Sequence, residues 1–95
     1  MRAPKVTRVV NRYRYATASA TLVADNSPEG NWGGKVMWLY RSPEGKYFTV
    51  IRFLYGGGRD LLMPVSQEDA KCFYIFRLHN HRLPFEEAFP QAGED

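Results

Sequence analysis

Two stretches of the chain, Lys35–Arg41 and Lys46–Tyr55, are dense in β-branched and aromatic residues, and their spacing predicts a pair of strands. In the first, Val36, Trp38 and Tyr40 share one face and Lys35, Met37, Leu39 and Arg41 the other. In the second, Phe48, Val50 and Arg52 alternate with Tyr47, Thr49, Ile51 and Phe53. Neither strand has a cleanly polar side. One face is therefore expected on the core, and the other partly covered or used for binding. Between the runs stand Ser42, Pro43, Glu44 and Gly45, the residues of a type I turn that closes on a left-handed glycine.

Gly56–Gly58 interrupt the second run, and 60–65 predicts a third strand in which Pro64, lacking an N–H, belongs at an end or an edge. Sequential strands with short loops make a meander. Ser66 followed by Glu68 and Asp69 is a helix start: a hydroxyl to cap free N–H groups, with acids in the first turn. Ala70, Phe73, Tyr74, Arg77, Leu78 and His81 recur at helical spacing. Ile75 and Phe76 leave that stripe, so the helix is apolar on more than one side. Residues 84–89 predict one more helical turn. Asn11–Tyr15 alternate like a strand, 19–24 suit a strand or a short helix, and 26–31 read as a loop. The expected architecture is α+β: a three- to four-stranded antiparallel meander with one main C-terminal helix packed on it.

A chain of 95 residues suits one domain. With 44% hydrophobic and 24% charged residues it belongs with globular rather than disordered chains. Residues 1–10 are expected to form a flexible basic arm and 91–95 a frayed acidic tail. The net charge of +3 conceals this asymmetry. Residues 1–15 hold Arg2, Lys5, Arg8, Arg12 and Arg14 and no acid, whereas Glu68, Asp69, Glu86, Glu87, Glu94 and Asp95 crowd the other end. No apolar run reaches the length of a membrane span, and the N-terminus lacks the apolar stretch of a secretory signal, which points to a cytoplasmic protein. A single cysteine, Cys72, cannot form an internal disulfide. Set in an apolar run, it is expected to be buried and inert.

Few residues suggest reaction chemistry. The Gly56–Asp60 segment lacks the Gly-Lys-Ser/Thr of a phosphate loop and no helix follows it. His79 and His81 are two apart, a spacing that does not bring them together on a helix, so no metal is expected; His81 near the core with His79 in solvent is the ordinary account. No catalytic residues and no cofactor are assigned. Arg8, Arg12 and Arg14, interleaved with Tyr13 and Tyr15, form a candidate surface for nucleic acid or an acidic protein, since arginine pairs with phosphate and tyrosine stacks on bases. For a protein partner the candidate anchors are Trp32, Trp38, Tyr40, Phe73 and Phe76, because aromatic side chains dominate interface energetics.

In order, Arg14, Tyr15 and Thr17, then Leu39–Phe48 with its Ser42-Pro43-Glu44-Gly45 turn, then Val65, Ser66, Glu68 and Ala70, and finally Phe85–Phe89 resemble a family of small proteins carried by phages, plasmids and integrated elements of bacteria. The family usually has Asp where this chain has Ala16, and a more polar helix than Cys72–Phe76. The resemblance implies an accessory protein of a mobile element. Inhibitors of host enzymes or defence systems, CRISPR effectors among them, are common in that company, and the resemblance brings no catalytic residue. It favours a non-enzymatic module that binds a bacterial protein. A basic nucleic-acid-binding accessory protein is the second reading and an enzyme subunit the third, with a second copy of the chain as a further candidate partner.

Overall fold

The computed structural model describes residues 3–27, 34–54 and 60–90. The turn at Ser42–Gly45 forms as its residues require. Gly45 sits at φ +86°, its N–H donates to the Ser42 carbonyl at 2.9 Å, and Ser42 Oγ accepts the Lys46 N–H at 3.0 Å. It joins β4 (Lys35–Arg41) to β5 (Tyr47–Phe53) in continuous antiparallel register, Trp38 opposite Val50 and Tyr40 opposite Phe48. β6 (Leu61–Val65) pairs with β5 and forms one edge of the sheet, as Pro64 demands.

The sheet is wider than the expected three or four strands. On the other side of β4 lies β3 (Thr21–Asp25), and beyond it β7, only Asn80–His81, giving five strands in the order β6-β5-β4-β3-β7. A register shift between Leu22 and Ala24 interrupts the pairing of β3, and the Val23 carbonyl accepts the N–H groups of Arg82 and Leu83 at 2.8 and 3.3 Å. A strand of two residues carries no periodic signal, and one held by a bulge is specified by its partner rather than by its own sequence.

A second, two-stranded sheet pairs β1 (Thr7–Val10) with β2 (Tyr13–Ala16). The two-residue turn between them, Asn11 and Arg12, has φ of 51° and 67°, both in the left-handed region that suits a tight hairpin. Within the arm expected over 1–10, Thr7–Val10 form a strand. Thr17 N–H also bonds the Val6 carbonyl, and Arg8 bonds the main sheet, so the segment is held at several points.

Helix α1 (Gln67–Cys72) begins as its sequence dictates, with Ser66 Oγ accepting the Asp69 N–H at 3.1 Å. It continues through one wide turn, Phe73–Arg77, closed by the Leu78 N–H on the Phe73 carbonyl. The helical periodicity expected to run on to His81 therefore stops at Arg77, and His81 belongs to β7. The last helix, α2, is the single turn Phe85–Ala88.

These elements cover both faces of the sheet, so of the two expectations for the second face, partly covered or used for binding, it is the first that the fold follows. On one side Val23, Met37, Leu39 and Tyr47 pack with Ala70, Tyr74, Leu78 and Phe89 of the helical layer. On the other Val36, Trp38, Tyr40, Phe48, Val50 and Leu62 pack under the β1–β2 hairpin through Tyr15, with Val6, Val10 and Tyr13 at the margin. Tyr13 extends the link to the β4–β5 turn, where its hydroxyl bonds Glu44 and Ser42. The α+β class and antiparallel sheet are as read from the sequence; the strand count and hairpin layer are not.

Candidate interaction surface

Along α1 and its wide turn, the side chains that enter the core are Ala70, Tyr74 and Leu78. Their strict spacing of four residues exceeds the 3.6 of a regular helix, and the wide turn supplies the difference. Tyr74 is fixed further by its hydroxyl bond to the Leu83 carbonyl at 2.8 Å and by stacking on His81, ring centroids 3.8 Å apart. With these three held inward, Ile75 and Phe76 are turned away from the sheet. Ile75 is 55% exposed and Phe76 71%. Phe73 lies between, half-buried against the core.

Phe73 and Phe76 border a shallow cavity of about 380 Å³ together with Asp69, Cys72 and Arg77. Two aromatic rings and a thiol line it, with one acid and one base. Cys72 opens onto this surface: it is exposed, not buried as expected. The core stripe passes through Ala70 and Tyr74, two positions away on either side, so Cys72 falls between the inward positions.

The other expected anchors divide. Trp38 is 1% exposed and Tyr40 is buried with it beneath the hairpin. Arg52 reaches over the Trp38 ring, 5.1 Å from its centroid, while forming a forked ion pair with Asp60. Burial pushes the Tyr40 hydroxyl up to about 12, so it stays protonated at neutral pH. Neither ring can meet a partner without displacing β1 and β2. Trp32 lies outside the described residues.

The three arginines do not form one surface. In β1 and β2 the residues facing the main sheet are Val10, Tyr13 and Tyr15, and Arg8, opposite Tyr15, faces the same way, donating to the Leu62 carbonyl at 2.7 Å. Arg14, opposite Val9, is on the solvent side, and Arg12 occupies the turn. Two of the three are free to meet an outside group, and the third is bound to the protein itself.

Asp25 is the main buried charge. Its carboxylate accepts from Arg82 at 2.8 and 3.3 Å, from the Ser27 N–H and hydroxyl at 3.0 and 2.8 Å, and from Asn80 at 3.2 Å. Burial alone would raise its pKa, but these donors outweigh it and hold the group below its ordinary value. Five donor contacts from the fold converge on it, which makes the cluster a clasp between β3 and the segment after the helix. Among the described residues no group of three His, Cys, Asp or Glu side chains is placed to hold a metal ion, and no helix is long and apolar enough to cross a membrane.

Sequence reasoning singled out Phe73 and Phe76 but missed Ile75 and Cys72 as surface residues, although the departure of Ile75 and Phe76 from the inward stripe was the available signal. It also missed Phe53, Leu61 and Met63, which are exposed at the β5–β6 side of the sheet. No protein-family model, curated protein or solved structure matches this chain.

Proposed function

We propose that this protein is a non-enzymatic binding module of a mobile genetic element that inhibits a bacterial host or defence protein by occupying one of its surfaces. The observation that carries the reading is the pair Ile75 and Phe76. In a chain that buries Trp38, Tyr40, Tyr47, Phe48 and Phe89, two large apolar side chains stand out from the wide turn of the helix. An exposed aromatic ring bordering a shallow cavity, with a second apolar side chain next to it, has the makings of a protein-interface hot spot. The resemblance to mobile-element accessory proteins supplies the class of partner, and the departure from that family toward a more apolar 72–76 segment falls on this surface.

The paired ionisable groups support the same reading. Asp25 with Arg82 and Asp60 with Arg52 are paired with one another in structural clasps. The nucleic-acid alternative is weakened by the loss of Arg8 to the Leu62 carbonyl.

The test is capture from a lysate of a bacterial host with immobilised protein, with and without nuclease. A partner retained by the wild type and by Arg12→Ala/Arg14→Ala, insensitive to nuclease, and lost on Phe76→Glu supports the proposal, provided the purified protein inhibits that partner's activity. Capture that survives Phe76→Glu but disappears with nuclease or with the arginine pair replaced refutes it.

A further inference from the structure

A second surface is offered by the backbone of β1. The hairpin's hydrogen-bonding phase is fixed by the Thr17 N–H on the Val6 carbonyl and by the two-residue turn beyond Val10 and Tyr13. In an antiparallel pair, alternate residues exchange both backbone bonds with the neighbour and those between them point away. Val6, Arg8 and Val10 therefore address β2, and the N–H and C=O groups of Thr7 and Val9 are directed to the outer side of β1. Both residues are exposed, Val9 to 63%.

The opposite situation holds at β6, the long edge of the main sheet. Pro64 has no N–H to offer, and the Leu62 carbonyl is taken by Arg8. Backbone groups two residues apart point to the same side of a strand, so these two features close the same edge. One edge of the main sheet is blocked, and among the described residues no strand pairs with the outer side of β1.

We infer that the outer edge of β1 receives an extended, acidic segment of another protein as an added strand. Main-chain bonds from Thr7 and Val9 would provide the affinity, and the charge around them the selectivity. By alternation Lys5 shares the solvent face of Thr7 and Val9, Arg14 stands opposite Val9 on the same face, and Arg12 caps the end. No acidic residue occurs in β1, β2 or their turn. A second copy of this strand would bring like charges together, which is unfavourable between neighbouring strands; an acidic strand brings opposite ones. The inference is independent of the Ile75 and Phe76 surface and stands or falls separately from it.

The experiment uses the full chain and a fluorescein-labelled hexapeptide of alternating glutamate and valine. Its controls are the same peptide N-methylated at every residue and a lysine–valine counterpart. Binding is followed by anisotropy, and amide hydrogen exchange locates it. Saturable binding of the acidic peptide with slowed exchange at Thr7 and Val9 is expected. Affinity should fall by about tenfold or more on N-methylation or with Val9→Pro, each of which removes main-chain bonds. Near-UV circular dichroism confirms that Val9→Pro is folded, and Arg14→Glu, which leaves the backbone untouched, gives a second route to weaker binding. Absence of saturable binding, equal affinity for the methylated or lysine peptide, or protection elsewhere in the chain overturns the inference. So does a thymidine oligonucleotide that binds the same strand more tightly than the acidic peptide, which would assign the edge to nucleic acid.

Discussion

The guanidinium of Arg8 donates to the carbonyl of Leu62 at 2.7 Å, tying the outlying hairpin to the edge strand of the main sheet across 54 positions of sequence. A basic residue near a chain end reads as a surface for anions; here it satisfies a backbone acceptor and closes an edge that would otherwise invite pairing.

Replacing Arg8 by Ala removes that bond and exposes the Leu62 carbonyl. The expected loss of stability is about 1 kcal/mol, typical of a net hydrogen bond, with more self-association as concentration rises. Denaturant unfolding and sedimentation velocity measure both. Unchanged stability combined with a marked loss of DNA or RNA retention would show that Arg8 serves nucleic acid instead.

The Asp25 clasp gives the molecule an acid-sensitive component. Because the folded-state pKa lies below the ordinary carboxylate value, the clasp's contribution is fully present above the unfolded pKa, about 4, and is lost as pH falls through the lower folded value. Asp60, lowered by its hydrogen bond and ion pair with Arg52, adds an effect of the same sign. Stability should therefore be level from pH 7 to about 5 and decline below, as measured by thermal unfolding. Asp25→Asn should lower stability at pH 7 by about 2 kcal/mol, since Arg82 is half-exposed and recovers part of its hydration, and should flatten the acid decline. A variant with an undiminished acid decline would show that other carboxylates cause it.

Trp38 and Phe76 looked alike in the sequence as aromatic anchors, and the structure separates them completely. Trp38→Ala empties a fully buried site between sheet and hairpin and should cost about 3–5 kcal/mol, enough to unfold a marginal domain. Phe76→Ser alters an exposed residue and should change stability by no more than about 0.5 kcal/mol. Urea unfolding of the two variants decides the matter, and a large loss in Phe76→Ser would mean that its ring is packed rather than presented.

The physical reason for that ambiguity marks the limit of what the sequence discloses. Alternation in β4 and β5 correctly sorted Val36, Trp38 and Tyr40 from Met37 and Leu39. It could not say that both faces are covered, because the cover on the Trp38 side is the β1–β2 hairpin, in which Tyr15 of β2 is brought onto the sheet by pairing with Thr7–Val10, a segment with an arginine and a basic flank that reads as an arm. The Ser66 cap and the edge position of Pro64 were legible because each depends on one residue's local chemistry. The end of the helix and the two-residue β7 were not, since both are decided by distant partners: the Asp25 carboxylate, which holds Asn80 and Arg82, and the Tyr74 ring, which stacks on His81.

The turn between β4 and β5 provides a last test in which space and conformation make separate demands. A Cβ built on Gly45 would meet no atom within 4 Å, so substitution there is sterically open. Its φ of +86° nevertheless lies in the left-handed region, where an L side chain crowds its own backbone. Gly45→Ala should cost about 1–2 kcal/mol through that local strain alone, while Gly45→Asn, whose side chain tolerates the region, should cost less. The measurement is the denaturation midpoint of the two variants at constant slope, which confines the effect to stability. Equal losses in Ala and Asn would point to the removal of glycine as such, and no loss in either would mean that the turn relaxes to negative φ and that the Ser42 and Lys46 bonds re-form around it.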